Sequence, residues 1–200
     1  MIKAVVFDIG GVLEVVDDSV FPEPFLQRHG LAPGSLDAAC DFPRDPGLGL
    51  MTEAEVRAHW QQRLGLDDAQ SDELMADQWR WYVGTLDQEL FDWFAGVRAR
   101  GLRAGILSNS GSGAREAERH YGFEDVTDDL VYSHEVGLAK PDPAVYALSA
   151  ERLGVEPDEI VFLDDSERCV EGARAAGWHA VRHERTAAST AALERVIACR

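Results

Sequence analysis

The feature that most restricts the fold is the stretch of residues 3–8, in which an almost continuous apolar run ends in the carboxylate of Asp8. Because polar and apolar residues do not alternate in it, the stretch is predicted to be a strand buried on both faces, as in the centre of a parallel sheet. Ligands of such sheets bind beyond the carboxyl ends of the strands, where Asp8 would lie. Gly10 and Gly11 follow, and they allow the backbone to turn sharply and to approach a ligand closely. Asp8 is therefore a candidate nucleophile.

From residue 87 onward, helical and strand patterns alternate along the chain. Helical patterns stop at Gly101 and Gly177, and Asp142 with Pro143 begins a helix that ends at Gly154. Strands are predicted at residues 102–107, 130–132, 160–163 and 179–182. This alternation predicts an α/β fold, a Rossmann-like parallel sheet with helices on both faces.

A segment of short helical patterns and proline-rich loops interrupts the core after the first strand. In it, Thr52 and Glu55 form a capping-box pattern at the start of one helix, and a second helix is predicted over residues 71–82. The predicted domains are an α/β core of residues 1–15 and 86–200 and a small α-helical insertion of residues 16–85.

Four large aromatic residues lie in this insertion, Trp60, Trp79, Trp81 and Tyr82. They could form a lid over a site or the apolar core of a small helical bundle, where most such residues belong. We expect the core of the bundle for all except Trp81, which is predicted on the opposite face of its helix from the neighbours of Trp79.

The balance of charge excludes several classes of partner. A formal charge of −17, from 36 acidic and 19 basic residues, would repel phosphate backbones and anionic membrane surfaces, so no nucleic-acid or membrane partner is expected. No apolar stretch approaches the roughly 20 residues that cross a bilayer, and a signal peptide is not expected. Three cysteines without CxxC spacing favour a reducing, cytoplasmic location. The expected protein is a cytoplasmic monomer or homodimer that acts on a small molecule.

Polar side chains follow four strands or loops of the predicted core. They are Asp8, Ser108 with Asn109, Lys140, and Asp164 with Asp165. A parallel sheet brings these ends to one edge. Two carboxylates and a lysine could form a buried ion-pair network, but a third acid leaves excess negative charge that a divalent metal with oxygen ligands, Mg²⁺ above all, would balance. A hydroxyl, an amide, an ammonium group and Mg²⁺ around a carboxylate suit phosphoryl transfer through an aspartyl phosphate.

Together these residues resemble the four short motifs of the haloacid dehalogenase (HAD) superfamily, in order along essentially the whole chain. The matching segments are residues 7–10, 107–109, 140–143 and 162–165. The insertion after the first motif is similar to the helical cap of the first cap type in that superfamily.

The resemblance implies a role for each matched residue. Asp8 would be the nucleophile, Ser108 and Asn109 would bind the substrate phosphate, and Lys140 would steady both nucleophile and phosphate. Mg²⁺ would be held by Asp8, the backbone carbonyl of Gly10 and Asp165. Asp164 would be a partner of Lys140 or of a metal-bound water behind these ligands.

Two positions depart from the motifs of the superfamily. Most of its phosphatases carry a second Asp, a general acid and base, where this chain has Gly10, and related sequences often have Asn where this chain has Cys169. Acid–base catalysis is worth roughly 10²–10⁴-fold, so another group would have to supply it. Candidates are Glu14, Asp17, Asp18, His134 and Glu135, each of which we expect to be a solvated loop residue.

The resulting expectation is a Mg²⁺-dependent phosphatase of a small phosphorylated metabolite, with sugar phosphates the first class to test. A branch with Gly at the second Asp position, similar to bacterial phosphatases of sugar 1-phosphates, resembles this chain in layout. One alternative is a catalytically impaired protein that only binds a phosphorylated ligand. Another is a 2-haloacid dehalogenase, which uses the same nucleophile without metal; the pair Asp164 and Asp165 and the absence of a bulky residue at Gly10 argue against it.

Overall fold

The computed structural model describes residues 1–199 and contains the predicted parallel sheet. Its five parallel strands lie in the order β5-β4-β1-β6-β7. The strands are β1 (Ala4–Phe7), β4 (Arg103–Ser108), β5 (Asp129–Tyr132), β6 (Ile160–Asp164) and β7 (His179–Arg182). Two short strands, β2 (Glu14–Val15) and β3 (Thr85–Leu86), pair separately and antiparallel. The first strand is central, as predicted, with Ala4–Phe7 completely buried.

The register of the central strands places the motif residues at one edge of the sheet. Phe7 lies opposite Ile106 of β4 and Leu163 of β6. Asp8, which follows Phe7, donates its backbone N–H to the Leu163 carbonyl at 2.9 Å. The residues after these three positions therefore emerge side by side.

Helices cover both faces of the sheet. They are α5 (Gln88–Ala95), α6 (Ala114–Glu118), α7 (Phe123–Val126), α8 (Ser133–Val136), α9 (Pro143–Leu153), α10 (Glu167–Ala175) and α11 (Thr186–Ala198). Successive residues of a strand face opposite ways. Val5 accordingly packs in one apolar cluster with Leu90 of α5, and Val6 in another with Val145 of α9. The predicted α/β fold is confirmed.

Four helices form the insertion, and they have an apolar cluster of their own. They are α1 (Glu23–Arg28), α2 (Ser35–Ala38), α3 (Glu53–Leu64) and α4 (Asp68–Val83). The capping box of Thr52 and Glu55 begins α3 as predicted. A second capping box, of Asp67 and Gln70, begins α4 three residues earlier than predicted. Among residues 1–199, no helix is both long and apolar enough to cross a membrane.

The aromatic residues of the insertion divide between two apolar clusters. Trp60 and Trp81 pack in the cluster of the insertion, whereas Trp79 and Tyr82 pack against the cluster of the sheet that contains Phe7. The expectation that Trp79 and Tyr82 belong to a bundle core, and Trp81 does not, is therefore wrong. Residues three apart share a helix face and residues two apart do not, so α4 presents one face to each cluster.

Residues 47–51 of the insertion contact the loop that follows β4 and helix α8, which follows β5. The Ser133 hydroxyl donates to the Gly47 carbonyl at 2.7 Å, and the Ser112 hydroxyl donates to the Met51 carbonyl at 2.9 Å. Gly49 has a φ of +70°, and a Cβ there would lie 2.0 Å from the carbonyl oxygen of His134. Only glycine fits so close an approach.

Candidate active site

A buried lysine bridges two of the carboxylates that follow the strands. Lys140 Nζ lies 2.8 Å from Asp8 Oδ1 and 2.7 Å from Asp164 Oδ2, and its side chain is 1% exposed. Burial lowers the pKa of Lys140, but the two carboxylates outweigh it and the pKa is raised overall. Burial raises the pKa of Asp8, and Lys140 opposes that shift. The ammonium group therefore stays charged and favours the ionised form of Asp8.

The two carboxylate oxygens of Asp8 have different surroundings. Oδ1 accepts the Ile9 backbone N–H at 2.8 Å in addition to its contact with Lys140. Oδ2 takes part in neither contact, and the side chain is 13% exposed. Asp8 is thus held by one oxygen, while the other can act as a nucleophile.

Asn109 fixes the backbone of Lys140. Its Nδ2 donates to the Lys140 carbonyl at 2.9 Å, and its Oδ1 accepts the Lys140 backbone N–H at 2.8 Å. Both ends of the carboxamide are therefore engaged, but Nδ2 carries a second N–H, so the role of this side chain in binding phosphate stays a prediction. The amide orients the lysine, because it bonds to the backbone on both sides of the Lys140 Cα.

Ser108, the last residue of β4, is buried at 2% exposure. The register places it opposite Tyr132 of β5. Its role in binding phosphate stays a prediction.

The acids at this edge provide oxygen atoms that suit a divalent cation. One oxygen each from Asp8, Asp164 and Asp165 lies within 4.8 Å of the other two. Asp164 is fully buried and both of its oxygens are used, by Lys140 and by the Ser166 backbone N–H at 2.8 Å. Asp8 and Asp165 are thus the carboxylates that fit Mg²⁺, and Asp164 lies behind them.

Gly11 leaves the space that the Asp165 carboxylate occupies. A Cβ at Gly11 would lie 2.6 Å from Asp165 Oδ2, and the φ of Gly11 is +72°. The second glycine of the first motif is therefore required both for its backbone conformation and for the position of Asp165. Whether the Gly10 carbonyl is a ligand stays a prediction.

A family model of haloacid dehalogenase-like hydrolases matches residues 2–177. The chain belongs to this family. Three similar proteins illustrate the relationship. A phosphatase of Mycobacterium tuberculosis is 39% identical over 92 residues, which are 45% of this chain and 42% of that protein. The D-ribitol-5-phosphate phosphatase of Bacteroides thetaiotaomicron is 26% identical over 195 residues, 92% of this chain and 93% of that protein.

The third is a solved structure of a HAD family enzyme from Bacteroides thetaiotaomicron, in complex with magnesium and inorganic phosphate. It has a TM-score of 0.78 and 22% identity, and the match covers 92% of this chain and 95% of that one. This likeness shows the HAD-like fold. The chain spans about two fifths of the length of the first curated relatives that it matches.

Cys169 is a buried thiol in this HAD-like hydrolase. It lies in α10, where its backbone carbonyl accepts the Tyr146 hydroxyl at 2.8 Å. Burial raises the pKa of the thiol, so it stays protonated at neutral pH. A neutral thiol is a poor partner for the water around Mg²⁺, so this position does not strengthen the cation site.

The burial of two acids, Glu14 and Glu118, was not anticipated. Glu14 is completely buried, and neither of its carboxylate oxygens has a hydrogen-bond partner within residues 1–199. Burial raises its pKa to about 10 and that of Glu118, which is 1% exposed, to about 7. The expectation that Glu14 is a solvated loop residue is wrong. Glu14 lies within the apolar run of residues 12–16, and its side chain is buried inside the protein.

The other four candidates for the proton donor are either exposed or bonded to neighbouring side chains. Asp17 and Asp18 are exposed, as expected. Glu135 is paired with Arg115 at 2.6 Å, and His134 Nδ1 lies 2.8 Å from the Ser110 hydroxyl. For Glu14, the apolar neighbours in the sequence were a usable signal. For Glu118, no signal in the sequence indicates burial.

Proposed function

We propose that this HAD-like hydrolase is a Mg²⁺-dependent phosphatase that hydrolyses a small phosphorylated metabolite through an aspartyl phosphate, with sugar phosphates as the first class to test. The observation that carries the proposal is the position of Lys140, 2.8 Å from Asp8 and 2.7 Å from Asp164, next to the carboxylate of Asp165. This arrangement places a nucleophile beside one positive charge and beside carboxylates that could bind a second, Mg²⁺, as phosphoryl transfer needs.

In the proposed reaction, Asp8 Oδ2 attacks phosphorus, and the bond to the leaving oxygen breaks. Lys140 stabilises the charge on the phosphoryl oxygens, and the Ser108 hydroxyl donates a hydrogen bond to one of them. Asp8, Asp165 and the Gly10 carbonyl would hold Mg²⁺, which would supply further positive charge for the phosphoryl oxygens. Water then attacks the aspartyl phosphate and releases inorganic phosphate, which restores Asp8.

The relatives support this proposal. One relative that the chain matches over most of its length is a D-ribitol-5-phosphate phosphatase, and the solved HAD enzyme described above holds magnesium and phosphate. A phosphorylated polyol or sugar as substrate is consistent with both of these proteins.

Open space adjoins the residues of the proposed site. A space of about 730 Å³ is lined by Gly11 and Asp165, and one of about 520 Å³ is lined by Lys140. A smaller, mainly apolar cavity of about 200 Å³ lies between the insertion and the loop that follows Ser108 and Asn109, where Trp79 and Ser112 line it. These spaces are large enough for a small metabolite.

Phosphate release from a panel of sugar, polyol and short-chain acid phosphates tests the proposal. We expect turnover with Mg²⁺, loss of turnover with a chelator, and no turnover by Asp8→Asn. Turnover no greater than that of Asp8→Asn on every ester would reject the proposal. Thermal stabilisation by a phosphate ester without turnover would favour the binding protein instead, and chelator-resistant halide release from a 2-haloacid would favour the dehalogenase.

A further inference from the structure

Asp165, a predicted ligand of the cation, is oriented through its backbone. Lys140 lies against the carboxylates of Asp8 and Asp164, whereas within residues 1–199 the carboxylate of Asp165 has no basic side chain paired with it. The Asp165 side chain is exposed and lies against Gly11. The direction in which this carboxylate points therefore depends on how the peptide groups around its Cα are held.

The peptide group between Asp165 and Ser166 is fixed at both of its ends. Its carbonyl oxygen accepts a hydrogen bond from Arg182 Nε at 3.1 Å, and its N–H donates to Asp164 Oδ1 at 2.8 Å. The preceding peptide group is held as well, because the Asp164 carbonyl accepts the His183 backbone N–H at 2.8 Å. Among these contacts, that of Arg182 is the one made by a side chain from outside the buried pair of Lys140 and Asp164.

Arg182 joins the end of β7 to the start of α10. It is the last residue of β7, and the register pairs it with Asp164. Its Nη1 lies 3.6 Å from Oε2 of Glu167, the first residue of α10. The planar guanidinium group holds its donors in a fixed fork, so one side chain can bond to the Asp165 carbonyl and face Glu167 at the same time. Together with Gly11 and Asp165, Arg182 lines the space of about 730 Å³ described above.

We propose that Arg182 is a positioning residue for the cation site: its hydrogen bond fixes the peptide group after Asp165 and thereby aims the Asp165 carboxylate toward Asp8. The inference rests on the proposed Mg²⁺-dependent function. Groups behind the ligands of a metal orient those ligands, and their loss typically costs about 10–100-fold in metal affinity.

A positioning role and a simple charge effect of Arg182 predict opposite results. A guanidinium group beside the site repels a divalent cation, so removal of its charge alone would tighten cation binding. Since the side chain is 51% exposed and screened by solvent and salt, that effect is small. Loss of the hydrogen bond instead frees the peptide group after Asp165 and weakens cation binding. The direction of the change in affinity therefore identifies the role.

Mn²⁺ binding to Arg182→Met tests the inference without any turnover. Mn²⁺ takes the same carboxylate, carbonyl and water ligands as Mg²⁺, and its electron paramagnetic resonance signal measures the free ion. The titration is done without substrate at about 0.15 M salt. Ions that Asp165→Asn still binds, on surface acids, are subtracted. We expect the Kd of the remaining site to rise by about tenfold or more in Arg182→Met, and Mg²⁺ to displace the ion from the unsubstituted protein.

Arg174→Met is the matched control. Arg174 is also 51% exposed, lies 3.8 Å from Glu167, and donates to the Ala180 carbonyl of β7 at 2.9 Å, but its contacts do not include Asp165. The Kd of Arg174→Met should stay within about twofold of that of the unsubstituted protein, and the two variants should have similar Tm values. An unchanged or lowered Kd in folded Arg182→Met, or an equal rise in both variants, would overturn the inference.

The outcomes separate this inference from the proposed function. If the unsubstituted protein hydrolyses phosphate esters with Mg²⁺ and Arg182→Met binds Mn²⁺ as tightly as it does, only the positioning role of Arg182 fails. If the unsubstituted protein binds no Mn²⁺ that depends on Asp165, the inference fails, and the Mg²⁺ dependence of the proposed function fails with it.

Discussion

The Lys140 ammonium group lies 2.7 Å from Asp164 Oδ2 at a point where the two side chains are 1% and 0% exposed. A buried pair of this kind costs free energy to desolvate, so its presence is weak evidence for stability. Breaking it is a different matter, because the remaining charges are left buried without a partner. Lys140 is paired with two such carboxylates, Asp8 and Asp164, so its removal would leave both without their positively charged partner.

Lys140→Met is therefore expected to lower both activity and stability. Two uncompensated buried carboxylates should cost about 3–5 kcal/mol, which corresponds to a fall in Tm of roughly 10 °C for a chain of this size. Differential scanning calorimetry measures this. The chain has one other lysine, Lys3, which is 60% exposed and paired with Glu159 at 2.6 Å, so Lys3→Met is the matched control and should leave Tm nearly unchanged. Equal effects of the two substitutions would contradict the buried role of Lys140.

Gly11→Ala should weaken the proposed cation site. The added methyl group would lie 2.6 Å from Asp165 Oδ2 and would force the carboxylate to move. We expect the Mg²⁺ concentration for half-maximal activity to rise by about tenfold or more. Gly101→Ala is the control, since Gly101 also has positive φ, +79°, but open space around it. Gly101→Ala introduces the same kind of backbone strain without a nearby carboxylate, and its Mg²⁺ requirement should stay unchanged. An unchanged Mg²⁺ requirement in Gly11→Ala would argue against Asp165 as a ligand.

Asn109→Ala should act through Lys140. The substitution removes both hydrogen bonds to the lysine backbone, at 2.9 and 2.8 Å, and lets the ammonium group move away from Asp8. A displacement of this kind lowers kcat, whereas loss of a direct phosphate contact would mainly raise KM. Steady-state kinetics on one substrate measure both. A raised KM at unchanged kcat would instead support the prediction that the Asn109 side chain binds phosphate.

Glu14→Gln should make stability less sensitive to pH. The pKa of Glu14 in the folded chain, about 10, lies above its ordinary value of 4.5, so the folded state binds the proton more tightly than the unfolded state. The stability that this proton provides is complete below pH 4.5 and is lost as pH rises toward 10. Relative to the unsubstituted protein, Glu14→Gln should gain up to about 1.4 kcal/mol for each pH unit in this window.

Thermal unfolding at pH 5, 7 and 9 measures that gain. The Tm of Glu14→Gln minus that of the unsubstituted protein should increase with pH by up to roughly 4 °C for each unit. Glu23→Gln, at an exposed position at the start of α1, is the control and should show a constant difference. A constant difference for Glu14→Gln would mean that the carboxyl group is solvated in the folded state.

The sheet and the convergence of its motif residues could be predicted because both depend on local patterns. Unbroken apolar runs such as that before Asp8 mark central strands, and parallel strands bring their carboxyl ends together whatever their separation in sequence. The contacts that complete the site depend on distant residues. Nothing near Glu118 in the sequence reveals the hydroxyl of Tyr132, which donates to it, and nothing near Asn109 reveals the backbone of Lys140.

The same limit applies to the aromatic residues of α4. Helical spacing separates Trp79 and Tyr82 from Trp81, but it does not say which face meets the insertion and which meets the sheet. That choice is made by packing between elements, which a periodic pattern does not encode.

Because α4 is one continuous helix, with Trp81 against the apolar cluster of the insertion and Trp79 and Tyr82 against that of the sheet, neither cluster can be repacked around α4 independently of the other. A larger or smaller side chain near Trp81 would shift the helix that also places Trp79 in the wall of the cavity beside Ser112. Evolutionary change inside the insertion is thereby coupled to the shape of the space next to the sheet.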